Sequence, residues 1–181
     1  MSELNKQQKF TNIYNTYIDE IYRYIYLRIC LDPGIAEDIT QEVFIDVYKG
    51  FDKFKGLCSE RTWVFKIAKN KLYDYYRKQY KRNVETSMET ELYEQFYDSL
   101  QNVDALIEKS YDSNFVLECL NKLPQHYKIA LMLKYIDGKR VSEISCILDK
   151  SSKSIDNILQ RAKLMFIKEY QIAQDYHKHD N

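Results

Sequence analysis

The sequence predicts an all-α protein: two small helical domains, the second built around a helix-turn-helix, joined by an acidic linker. Three observations lead there. Glycine (4) and proline (2) are scarce in 181 residues, and long apolar patterns recur at the 3.6-residue helical period. The charge also changes sign abruptly. Residues 66–82 hold seven bases against the single acid Asp74, net +6, whereas 83–114 hold eight acids against Lys109, net −7, with weak apolar periodicity. Finally, residues 140–164 show two short helical periods around a polar break. The expected boundaries are 1–82 for the first domain, 83–114 for the linker and 115–175 for the second domain.

Each element has its own warrant. In residues 10–30, Ile13, Tyr17, Ile21, Tyr24 and Arg28 fall on one line, with Ile25 and Ile29 beside it, as in an amphipathic helix. Leu31-Asp32-Pro33-Gly34 reads as a turn, with Asp32 suited to cap the next helix and Pro33 to its first position. Residues 35–49 place Ala36, Ile39, Val43 and Val47 inward with Phe44 alongside, which leaves Asp38, Gln41, Glu42 and Asp46 on an acidic outer face. Gly50 and Gly56 break the chain into a loop, and Ser59 can cap the helix that follows. In residues 60–81, Val64, Ile67, Ala68, Leu72 and Tyr75 form the expected core face. Thr62, Lys66, Lys69, Tyr73, Arg77 and Lys81 follow a different stripe.

The second domain begins at 115–122 and is interrupted at Leu123-Pro124. Residues 125–136 form a helix through Ile129, Leu131, Met132, Leu133 and Tyr135, closed by Gly138. Val141, Ile144 and Leu148 then make one short helix. Asp149-Lys150-Ser151-Ser152 is the turn, and Ile155, Ile158, Leu159 and Ala162 are the inward stripe of the second helix. Its outward face carries Ser154, Asp156, Asn157, Gln160, Arg161 and Lys163, and a polar tail ends the chain.

Composition excludes several classes. The formal net charge is zero, which argues against a generic nucleic-acid coat. Cys30, Cys58, Cys119 and Cys146 are scattered without a CxxC pair, so reduced, half-buried thiols are expected. His126, His177 and His179 do not sit at metal-ligand spacing. There is no phosphate loop and no nucleophile signature, so neither a catalytic centre, a metal site nor a cofactor is expected. The N-terminal residues lack an apolar core and no apolar run approaches the roughly 20 residues that span a bilayer. A cytoplasmic protein without membrane insertion is the expectation.

Three constellations carry chemistry. The outward face of the 153–163 helix is rich in amide, hydroxyl and basic groups that can read base edges or hold phosphates in a major groove. The basic 66–82 helix interleaves Tyr73, Tyr76 and Tyr80 with cations, a combination that suits single-stranded nucleic acid. The acidic face of residues 35–49 suits a partner with a basic helical surface. Each also has a plainer reading, as a helical hairpin, a solvated charged face and an ordinary surface.

In this order the parts resemble the sigma-70 family of RNA polymerase initiation factors, in its small extracytoplasmic-function form with regions 2 and 4 only. The stretch AEDITQEVFIDVYKGFDKF (36–54) is similar to region 2.2, whose D-x-x-Q-E-x-F core is present as Asp38, Gln41, Glu42 and Phe44. ERTWVFKIAKNKLYDYYRK (60–78) looks like regions 2.3 and 2.4, through Trp63, Ile67-Ala68-Lys69-Asn70, Asp74 and Arg77. LNKLPQHYKIALMLKYIDGKRVSEIS resembles region 4.1 running into 4.2, and KSIDNILQRAK (153–163) the recognition helix. The chain departs from the family at Asp149, where glycine is usual, at Ser145 in place of alanine, and at Leu57-Cys58-Ser59, where an aromatic residue normally precedes the helix.

The resemblance implies an alternative sigma factor and not an enzyme. Asp38, Gln41, Glu42 and Asp46 would bind core RNA polymerase through the beta-prime clamp, with the beta flap as a second contact. The 54–59 loop with Lys66, Lys69, Asn70, Tyr73 and Arg77 would capture the −10 element of promoter DNA as it melts. Ser154, Asp156, Asn157, Gln160, Arg161 and Lys163 would read the −35 element, and the linker would thread a polymerase channel. An anti-sigma factor is a further partner that the family brings. Two rivals stand beside this reading: a stand-alone helix-turn-helix regulator, and a helical adaptor that touches only proteins.

Overall fold

The computed structural model describes residues 3–84 and 114–179, and among them all regular structure is helical. Almost all of the expected acidic linker, 83–114, lies outside the described residues. The chain divides into two compact units, Met1–Tyr75 and Tyr76–Asn181.

The first unit is built on α1 (Glu3–Arg28), α2 (Pro33–Gly50) and most of α3 (Glu60–Val84). α1 starts before its apolar period does, and Thr11 and Thr16 donate back to the carbonyls of Gln7 and Asn12. It closes without glycine. Cys30 (φ 58°) and Leu31 (φ 67°) are both left-handed, and the Leu31 N–H reaches the Tyr26 carbonyl at 3.0 Å. For residues carrying a Cβ that conformation costs about 1–2 kcal/mol each. Asp32 then caps α2, accepting from the Ile35 N–H at 3.0 Å, with Pro33 as the first helical residue. α2 therefore begins where its cap and proline place it, two residues ahead of its apolar stripe. α3 begins at a second cap, where Ser59 Oγ accepts from the Thr62 N–H at 3.1 Å. Ile13, Ile21, Ile25, Ala36, Val43, Phe44, Val47, Val64, Ala68 and Leu72 are buried. They come from one face of each helix, as the periodicity predicts.

The second unit contains α4 (Asn114–Lys122), α5 (Gln125–Leu131), α6 (Val141–Leu148) and α7 (Ser152–His179). α5 runs on into a π-type turn, Met132–Ile136, where the Asp137 N–H bonds back five residues to Met132. Gly138, at φ +61°, reverses the chain, and the Lys139 N–H closes on the Leu133 carbonyl at 2.9 Å. At the start of α6, Glu143 accepts from the Arg140 N–H at 3.0 Å and pairs with Lys139 at 2.7 Å. These contacts, Lys139 first, hold the Glu143 carboxyl below its ordinary range. Val116, Leu120, Leu131, Met132, Ile144, Leu148, Ile155, Leu159, Ala162 and Phe166 make the core, and Tyr76 and Tyr80 from the end of α3 belong to it.

The turn between α6 and α7 hinges on Asp149, which sits at φ 57°, ψ 51° in the left-handed region. Aspartate occupies that region at lower cost than most side chains but at higher cost than glycine. Asp149→Gly is expected to stabilise the second unit by about 1 kcal/mol, read as a rise in thermal midpoint. Its ion pair with Lys81, 3.8 Å long and well exposed at both ends, offsets little of that gain.

His126 is buried beside Tyr127, ring centroids 4.0 Å apart, and edge-on to Tyr80 at 6.3 Å. Its Nδ1 has no hydrogen-bond partner among the described residues, and burial pushes its pKa below the ordinary 6.5. The folded state therefore keeps this imidazole neutral while the unfolded chain takes up a proton near 6.5. The stabilising contribution is full above that value and is lost as pH falls below it. Between about pH 7 and about pH 5.5 the thermal midpoint is expected to drop more steeply in the parent chain than in His126→Phe.

Candidate nucleic-acid interface

Three surfaces hold the residues singled out by sequence. On α2, Asp38, Gln41 and Glu42 are exposed and Asp46 is half-buried. The structure adds a cation that sequence reasoning did not place there: Lys71 of α3 lies 2.8 Å from Asp46 and 3.5 Å from Glu42. The Asp46 contact leads in raising the Lys71 pKa. Half of the acidic face is thus partly neutralised within the chain, and Asp38 and Gln41 form its open end. Ile45 stands exposed on the same helix.

On α3, Lys66 and Asn70 are exposed, while Lys69 and Tyr73 are half-buried with the Lys69 ammonium 5.7 Å from the Tyr73 ring. These four lie in the first unit. Arg77 lies in the second, half-buried, and its Nε donates to the Ile147 carbonyl of α6 at 3.0 Å. The five residues are therefore not one open stripe. Tyr76 and Tyr80, read from sequence as rings between cations, are buried and unavailable to stack on bases. Burial raises the Tyr80 hydroxyl to about 12. Trp63 is half-buried, stacked on Phe54 at 4.6 Å and edge-on to Phe51 at 6.1 Å.

The Phe54 stack fixes one end of the loop before α3. Beside it lies a concavity of about 790 Å³ lined by Lys9 and Asn12 of α1 together with Phe51, Phe54, Lys55 and Gly56. Lys9 and Asn12 were missed by sequence reasoning because neither lies in a charge run or on a periodic stripe.

The third surface is the start of α7. Ser151 caps it, its Oγ accepting from the Ser154 N–H at 3.2 Å. Asp156, Asn157 and Gln160 are exposed, and Ser154, Arg161 and Lys163 are half-buried. Positions 156 and 160, 157 and 160, and 157 and 161 are three or four residues apart, so four of the six share one face. Lys163 is turned toward the Tyr135 ring, 5.5 Å away. Cys146 and Cys58, expected as half-buried thiols, are exposed, on α6 and in the loop before α3.

The family model for Sigma-70 region 2 matches residues 13–82, and that for Sigma-70, region 4 matches 116–165. Together they cover more than half of the chain. It belongs to the sigma-70 family. The relatives specify the branch. The ECF RNA polymerase sigma factor SigW of Bacillus subtilis (strain 168) is 32% identical over 163 residues, 87% of this chain and 86% of that one. SigM of the same organism is 28% identical, covering 83% and 88%. The ECF RNA polymerase sigma-E factor of Escherichia coli (strain K12) is 26% identical, covering 72% and 71%. Among solved structures, a sigma factor bound to the anti-sigma factor NepR, from Bartonella quintana, aligns over 91% of this chain and 98% of its own at 15% identity and a TM-score of 0.46. The chain is thus an alternative sigma factor of the ECF type, which directs transcription initiation. No described helix is long and apolar enough to cross a membrane.

Proposed function

We propose that this sigma factor divides its work among the three surfaces. The exposed acidic face of α2, with Asp38 and Gln41 at its open end and Glu42 beside them, docks on the beta-prime clamp of the core polymerase. An exposed acidic helix face complements a basic helical partner, and Asp46, already engaged by Lys71, contributes less. Lys66, Lys69, Asn70 and Tyr73 of α3, with the 54–59 loop, hold the −10 element. The family resemblance assigns Arg77, later in the sequence of α3, to the same element. The α7 face reads the −35 duplex. Asn157 or Gln160 can pair bidentately with adenine, Asp156 can accept from cytosine and Arg161 can bind guanine or phosphate, each good pair discriminating by about 1–3 kcal/mol. The second unit also meets the beta flap, and the acidic segment 83–114 follows the polymerase channel and not the DNA. An anti-sigma factor that covers these faces completes the partner set, and the site of action is the cytoplasm.

The observation that carries this division is the charge of the helix-turn-helix. Residues 140–164 have five bases against three acids, net +2, and Lys163 is turned toward Tyr135. Duplex affinity scales with the number of phosphates neutralised, so this module specifies position while polymerase and α3 supply the hold. A gel shift tests the point. The purified chain is expected to retard promoter duplex weakly, with a shallow salt dependence, and to join a tight, specific complex once core is added. Tight, sequence-specific binding by the chain alone would favour the stand-alone regulator.

A further inference from the structure

The acidic face of α2 carries an internal counter-ion. Lys71 reaches across from α3, its ammonium 2.8 Å from Asp46 and 3.5 Å from Glu42. The two carboxylates stand one helical turn apart, so a single cation bridges both. They keep Lys71 protonated, Asp46 first, with its pKa raised above the ordinary lysine value. Asp46 also borders a shallow concavity with Lys49 and Lys53, so cations stand on more than one side of it. Along α2 the charge therefore runs from acidic at Glu37, Asp38 and Glu42 to basic around Asp46.

The fold does not require this bridge. The Glu42 side chain is 59% exposed and that of Asp46 42%, and ion pairs open to water contribute little to stability. The buried Val64, Ala68 and Leu72 already fix α3. Nor does the bridge position the carboxylates, because a regular helix sets their spacing. Its effect falls on docking. Uncovered, Asp46 and Glu42 would offer a basic partner two negative charges beside Asp38. With Lys71 between them they offer one in net, and the partner's cation competes with an ammonium already in place. Both attraction and encounter rate fall with the charge a face presents. Lys71 returns nothing to such a partner, being a cation itself.

We propose that Lys71 is a brake on core binding: it masks Asp46 and Glu42 and holds the affinity of this sigma factor for core below what the carboxylates of α2 could reach. The brake presupposes that α2 docks on core. An alternative sigma factor draws on the same core as other sigma factors, so its affinity sets the share it takes, and Lys71 limits that share at a given concentration of the chain.

The test is a double-mutant cycle read by equilibrium binding of the full chain to core polymerase. Lys71→Met keeps the aliphatic stem and removes the charge. It is expected to bind core about threefold to tenfold more tightly than the parent, with an affinity that falls more steeply as salt is added. Lys71→Gln should gain in the same direction, and Lys71→Arg, which keeps the charge, should stay within about twofold of the parent. Asp46→Asn is expected to cost more affinity in the Lys71→Met background than in the parent, because there the carboxylate is uncovered. Unchanged or weaker binding by both Lys71→Met and Lys71→Gln would overturn the brake, as would an equal cost of Asp46→Asn in the two backgrounds. A parent chain that binds core no better than Asp38→Lys/Glu42→Lys would instead overturn the docking of α2, and the brake with it.

Discussion

The double variant Asp38→Lys with Glu42→Lys is expected to lose promoter-specific initiation by a hundredfold or more and to stop co-purifying with core polymerase. Both side chains are exposed on α2, Asp38 stands at its open end, and the 3.5 Å pair of Glu42 with Lys71 is a surface contact that contributes little to the fold. The buried face, Ala36, Ile39, Val43 and Val47, is untouched. Reversing two charges at a complementary interface turns attraction into repulsion, which costs several kcal/mol, and about 1.4 kcal/mol is a factor of ten. The structure adds a gradation. Asp46→Asn should weaken core binding much less than Asp38→Asn, because Lys71 already holds the Asp46 carboxylate at 2.8 Å. Pull-down with core, with the helical circular-dichroism signal as control, checks both. A similar loss from either single variant would mean that the Lys71 pair opens on docking.

The second large effect belongs to α7. Asn157→Ala with Gln160→Ala is expected to reduce initiation at the native promoter by about thirtyfold to about ten-thousandfold, two base-reading amides being removed at about 1–3 kcal/mol each. Core binding should not change, and promoters with altered −35 sequences should be discriminated less. Arg161→Glu should weaken every duplex, because it sets a negative charge against the phosphates. Transcription from a panel of −35 variants separates these outcomes. The two predictions are complementary: one variant cannot reach the polymerase, and the other reaches it but cannot place it.

The helices themselves were legible because their apolar periods are long and interrupted only by caps. Asp32 and Ser59 act in the structure as their residue types suggest, each accepting from a backbone N–H three residues on. The core face of α3 was read less well. Its buried residues, Val64, Ala68, Leu72, Tyr76 and Tyr80, recur at every fourth position. The series was visible in the sequence but was overshadowed by the surrounding lysines, which made the tyrosines look like partners of the cations. What no local pattern contains is tertiary. The bridge from Lys71 to Glu42 and Asp46, the bond from Arg77 to the Ile147 carbonyl, and Lys9 and Asn12 at the edge of the loop concavity all join residues far apart in the chain. The left-handed pair Cys30-Leu31 was also hidden, since neither residue type signals that backbone.

The central claim is that this chain gives core polymerase a promoter. Run-off transcription measures that directly, with core alone, core plus the parent chain, and core plus the Asp38→Lys/Glu42→Lys variant on one linear template carrying a mapped promoter. The predicted result is a discrete transcript of fixed length with the parent chain only. Failure of the parent chain to bind core, or the same transcript from core plus the α2 variant, would contradict the account.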